Sequence, residues 1–99
     1  MMIADVIGEM VAEIKHDSIS RRRLLVVQPL TPEGERAGKT EIALDAVDAG
    51  VGDRVLVNLE GRSAGEILGR AGVPVRSIIV AVIDEVDMDG ETVYRKGGG

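Results

Sequence analysis

Twenty-three of the 99 residues are Val or Ile, and a single Tyr is the only aromatic. β-Branched side chains lose rotamer freedom in a helix and pack well on a pleated surface, so this chain leans toward strands. Without aromatic bulk, its core must be narrow and filled by aliphatic groups. The apolar content is too high for a disordered chain. The length suits one domain, read as residues 1–96, with 97–99 a flexible glycine tail. A unit this small buries only part of its surface alone, so self-association is expected to add burial.

Several function classes fall away at this stage. Cys is absent, which excludes disulfides, cysteine nucleophiles and thiolate metal sites and fits a reducing cytosol. The longest unbroken apolar run, Ile78 to Ile83, is far short of the ~20 residues that span a bilayer. Asp5, Gly8 and Glu9 interrupt the N-terminus, so no secretory signal is expected. The net charge of −5 gives no global attraction to nucleic acid or anionic lipid.

Alternation and turn residues divide the chain into short elements. Met2 to Ile14 reads as a first strand, with Gly8 marking a bend or bulge and a helix over Glu9 to Lys15 as the competing reading. Lys15 to Arg23 is polar and reads as a loop. Leu24 to Leu30 is an apolar strand ended by Pro29 and Pro32, and Thr31 to Gly38 an exposed turn. Thr40 to Leu44 is a third strand with Ile42 and Leu44 on one face. Ala49 to Asp53 is a tight glycine turn, and Arg54 to Leu59 a fourth strand. Ser63 and Glu66 form a capping-box pattern for one short helix over Ala64 to Arg70. Ser77 to Val86 reads as the longest strand, buried on both faces at its start. Asp89-Gly90 is a hairpin signal, and Thr92 to Arg95 pairs back. Short strands with glycine turns predict a mainly β fold, a small OB-like Greek-key barrel with one short helix.

Enzyme and cofactor constellations find little support. The single His, His16, lies in a polar stretch beside Asp17 and Ser18, and adjacent residues rarely form a working triad. Glu85 to Gly90 has the outline of a calcium loop, but its twelfth position is Lys96 where a bidentate Glu is needed. Gly50-Val51-Gly52 has neither the third glycine nor the following helix of a dinucleotide site, and reads as a sharp turn. Arg21-Arg22-Arg23 is the only basic run. Single-strand nucleic-acid binding needs stacking aromatics as well, and Tyr94 stands alone. A solvated or subunit-interface cluster is the better reading of the arginines. A binding module for nucleic acid or protein stays open as the alternative function. An enzyme with a composite site at a subunit boundary is a third, without a substrate to name.

Several segments together resemble a known family. Lys15-His16 followed by Leu24 to Leu30 resembles its first hairpin. Ala43 to Val57 resembles its central signature: an aliphatic residue, D-x-V-x-A-G-x-G, an acid, any residue, then V-L-V or V-L-I. Gly61-Arg62-Ser63-Ala64 resembles its G-S-S-A loop, and Pro74 to Asp84 its last long strand. The resemblance covers about residues 2–88 and is to the EutN/CcmL group, the pentameric vertex proteins of bacterial microcompartment shells. Arg62, Gly65 and Arg76 depart from Ser, Arg and Asp in the family pattern.

The resemblance implies an OB-like barrel built into a homopentamer that caps vertices of a polyhedral shell beside hexameric shell proteins, in the bacterial cytoplasm. It implies no reaction, cofactor or metal, and neither nucleic acid nor membrane as partner. Gly61, Arg62, Ser63 and Ala64 are then expected in a loop near the five-fold axis. Lys15, Arg23, Gly50, Gly52, Asp53 and Arg76 are candidates for subunit or shell contacts.

Overall fold

The computed structural model describes residues 1–15, 19–59 and 77–98. All regular structure among them is strand: β1 (Met2–Lys15), β2 (Ile19–Leu30), β3 (Glu41–Asp45), β4 (Arg54–Asn58), β5 (Ser77–Val82), β6 (Glu85–Met88) and β7 (Glu91–Arg95). The first five close into a barrel in the order β1-β2-β3-β5-β4, and β6 and β7 form a separate two-stranded sheet. Every barrel pair is antiparallel except β3 with β5. This is the expected mainly β, OB-like barrel. The helix expected over Ala64 to Arg70 lies outside the described residues.

The core follows from alternation. Ala4, Val6, Leu25, Val27, Ala43, Ala49, Val55, Val57 and Ile79 form one cluster, each 2% exposed or less. No aromatic enters it, so the bore is filled by small branched groups and three alanines. Leu24, Leu44 and Ile78 stand opposite one another on adjacent strands and are also buried, on the other parity. Ser77 to Ile79 is thus buried on both faces, as its apolar sequence predicts. Ile42 shares the parity of Leu44 but is exposed.

Three irregularities shape the sheets. Pairing shifts between Val6 and Gly8, between Leu56 and Val57, and between Val86 and Asp87. The residues left without a cross-strand partner are Ile7, Val80 and Val93, and all three are exposed. A bulge leaves its extra residue out of the ladder and turns it toward solvent. Three exposed aliphatics are thereby accounted for by the ladder itself. The bend expected at Gly8 is the first of these bulges.

Two boundaries differ from the sequence reading. Of the stretch Lys15 to Arg23, read as a loop, Lys15 and Ile19 to Arg23 are strand, and residues 16–18 lie outside the described residues. β2 starts at Ile19, and its first residues pair with the end of β1: Lys15 with Ile19, Glu13 with Arg21, Ala12 with Arg22. Local polarity points to a loop, but a facing strand decides pairing, and the register sets an acid opposite a cation. The helical alternative for Glu9 to Lys15 is excluded for the same reason. The second correction concerns Ser77 to Val86, which breaks at Ile83-Asp84. Its first part closes the barrel, and its second turns away into the hairpin, so β1 and β2 are the longest strands. Asp89 and Gly90 both have positive φ, 52° and 78°. That is the backbone of a two-residue type I′ turn.

Candidate subunit interface

β1 and β2 run past the barrel as a ribbon, because β4 pairs only with Met2 to Asp5 and β3 only with Leu24 to Val27. The bulge at Ile7 sets which face of this ribbon continues the barrel interior. Beyond it Glu9 stands opposite Leu25, and Val11 opposite Arg23. Arg23 therefore shares the parity of Leu25 and Val27, and Asp45 that of Ala43. Both reach the mouth of the barrel.

There Arg23 closes the end. Its Nε and Nη2 donate to Glu9 Oε2 at 3.0 and 2.7 Å. Nη1 donates to Asp45 Oδ2 at 2.8 Å, to Asp48 Oδ1 at 3.3 Å and to the Ala49 carbonyl. The Asp45 side chain is only 3% exposed. Its other oxygen accepts from the amides of Val47 and Ala49, both at 3.1 Å. One carboxylate thus folds the turn after β3 and receives the arginine. The guanidinium pKa is raised, first by the hydrogen bonds to Glu9, with Glu9 and Asp45 attracting the charge and desolvation opposing.

The glycine turn seats on the same end. Gly50 N donates to Asp53 Oδ2 at 2.8 Å, and Asp53 N to the Gly50 carbonyl at 3.0 Å. Gly52 N donates to the Val6 carbonyl, and Val6 N to that of Asp53, so the turn is stitched to β1 beside the bulge. Gly52 has φ +97°, which requires glycine, whereas Gly50 does not. Ala49 is fully buried, and Val51 stands out at the tip, 64% exposed.

A second arginine ties the hairpin down. Arg54 donates from Nε to Asp5 Oδ1 at 2.8 Å and from Nη2 to Oδ2 at 3.3 Å. Its guanidinium carbon lies 4.2 Å from the centre of the Tyr94 ring. Ile83 N donates to the Arg54 carbonyl at 2.8 Å. The Arg54 pKa is raised, chiefly by its hydrogen bonds to Asp5, with desolvation opposing. The one aromatic side chain thus serves as a cation–π platform that docks β7 on β4.

Of the candidate contact residues, Arg23, Gly50, Gly52 and Asp53 come together at this mouth. Lys15 does not: it lies at the far end of the ribbon, four rungs beyond the Val11–Arg23 pair. Gly61, Arg62, Ser63, Ala64, Arg76 and His16 lie outside the described residues. Glu9, Asp45 and Asp48 were not foreseen around Arg23, nor Asp5 and Tyr94 around Arg54. The available signal was parity, since positions 23, 25 and 27 alternate on one face. No group of three or more His, Cys, Asp or Glu among the described residues could hold a metal ion, and no described helix is long and apolar enough to cross a membrane.

The sequence profile of a family described as ethanolamine utilisation protein EutN/carboxysome matches residues 1–84. The chain belongs to the EutN/CcmL family. It is 30% identical over 96 residues to the bacterial microcompartment shell vertex protein EutN of Escherichia coli K12, covering 97% of this chain and 100% of the relative. The CcmL structure from Nostoc sp. PCC 7120 superposes with a TM-score of 0.75 at 35% identity, covering 97% of this chain and 100% of that one. A pentameric microcompartment shell protein from Rhodospirillum rubrum, GrpN, gives 0.69 at 33% identity, covering 89% and 99%. The EutN/CcmL barrel is therefore shared over nearly the whole length.

Proposed function

We propose that this EutN/CcmL protein is a structural shell subunit, not an enzyme, and assembles as a homopentamer that closes the vertices of a polyhedral bacterial microcompartment. Full-length kinship to proteins named as shell vertex components carries this reading. It favours the shell role over a nucleic-acid or protein binding module. The geometry suits it. A contact between two different patches, repeated with a fixed rotation, closes into a ring. Six-fold tiles alone pave a flat sheet, and a five-fold piece removes a wedge and forces curvature. Hexameric shell proteins are then its neighbours, and the shell in the bacterial cytoplasm its location.

Residues 1–96 act as the barrel unit in this reading, with a short glycine tail after it. Gly61, Arg62, Ser63 and Ala64 line the five-fold axis, and Lys15 and Arg76 serve contacts between subunits or with the shell. Gly50, Gly52 and Asp53 shape the rim that a neighbour meets. Arg23, whose donors are taken within the chain, acts by fixing that rim. Native mass spectrometry is expected to give about five times 10.5 kDa. A strict monomer across micromolar concentrations would overturn the reading. Ala64→Asp is expected to weaken the ring, and an unchanged oligomer mass would remove Ala64 from the axis.

A further inference from the structure

Two parts of the molecule have strand edges that pair with nothing among the described residues. One is the outer ribbon, where Gly8 to Lys15 pair only with Ile19 to Val26, and Ile19 to Arg23 only with Val11 to Lys15. The other is the β6–β7 hairpin. Both expose aliphatic surface, Val11 at 54% and Met10 at 38% on the ribbon and Val93 at 40% on the hairpin. Two strands alone are marginal in water, and open edges invite pairing with another chain.

Their charges are opposite. On the ribbon Lys15, Arg21, Arg22 and Arg23 stand against Glu9 and Glu13, a formal excess of two positive charges. Arg23 is engaged by Glu9 and Arg21 faces Glu13, which leaves Arg22, opposite Ala12, as the arginine without an acid across from it. Residues 84–91 carry five carboxylates and no Lys or Arg. Glu85 is paired with Arg95, and Asp87 accepts from Thr92. Asp84, Asp89 and Glu91 make no ion pair among the described residues.

We propose that, in the homopentamer, the acidic β6–β7 hairpin of one copy seats on the basic β1–β2 ribbon of the next. This rests on the pentamer reading above. A head-to-tail ring needs two different, complementary patches on each copy. The chain offers two open-edged units of opposite sign. Copies that each carry a net charge of −5 repel one another at distance. Their contact therefore needs local attraction, which this pairing supplies. Tyr94 on Arg54 fixes the hairpin to its own barrel, so it reaches the neighbour as a placed element.

The test is a charge swap followed by native mass spectrometry and light scattering. Glu91→Lys and Arg22→Glu are each expected to raise the concentration for half-assembly about threefold or more at ~50 mM salt, and much less at ~1 M, where charges are screened. The double variant E91K/R22E is expected to return close to the unaltered protein. Far-UV circular dichroism checks the fold, and Arg22→Gln replaces Arg22→Glu if the latter loses its strand signal. Singles that assemble like the unaltered protein, or a double no better than the worse single, overturn the proposal. So do singles that form normal pentamers but no longer join hexameric shell proteins, which would assign the hairpin to that partner. An unaltered protein that never forms pentamers defeats the pentamer reading instead.

Discussion

At the residue scale, two arginines hold the loops to the barrel. Arg54 is the more sheltered, with a side chain 16% exposed, and joins Asp5, Tyr94 and the start of the hairpin. Arg54→Ala is expected to cost about 1–3 kcal/mol in urea unfolding, from a charged hydrogen-bonded pair plus the ring contact. Arg54→Lys should recover only part, because an ammonium lacks the two-pronged geometry. Both arginine pKa values are raised by folding. A raised pKa gives stability that is complete below the unfolded value and lost only as pH climbs through the folded one. A guanidinium ordinarily titrates far above neutral pH, and folding raises Arg54 further, so its contribution is expected to be constant from about pH 6 to about pH 9. A difference between Arg54→Ala and the unaltered protein that changed with pH across that window would point to another titrating group.

At the element scale, the bulge at Ile7 decides what the ribbon does. One residue more or fewer in a strand turns every later side chain to the opposite face. Removing Ile7 alone leaves Glu9 opposite Leu25, whereas removing Ile7 and Gly8 together puts Glu9 opposite Val26 and is therefore expected to carry it away from Arg23 and to lower the unfolding midpoint clearly. Ile7→Ala, at a site 52% exposed, should change stability by less than about 1 kcal/mol. Equal midpoints for the two-residue deletion and Ile7→Ala would dismiss the register at the bulge as the device that sets the ribbon face. Glycine at position 8 marked this place in the sequence, and Asp89-Gly90 marked the hairpin, because each is a local backbone requirement. The strand start at Ile19 left no local mark. Arg21, Arg22 and Arg23 are polar neighbours in sequence, and only the facing strand makes them part of a sheet. Reading them as loop concealed the parity that carries Arg23 to the barrel mouth. The carboxylates around it come from 14, 22 and 25 positions away, distances that no window of sequence reports.

At the scale of the whole molecule, the bore is tuned to small side chains. Leu25 is fully buried, and Leu25→Ala is expected to cost about 2–5 kcal/mol, from lost transfer free energy and the cavity left behind. Ala43 is just as buried, and Ala43→Leu is expected to cost about 1–3 kcal/mol by overfilling. Denaturant midpoints check both, and a tolerated Ala43→Leu would mean spare volume that the aromatic-poor sequence argues against. The barrel is packed along its length and stoppered at the ribbon end by Arg23 and Ala49. Among the described residues the barrel interior is filled by side chains and leaves no open lumen. Any metabolite crossing a wall made of such subunits must slip between copies, so permeability belongs to the seams of the assembly and not to the individual brick.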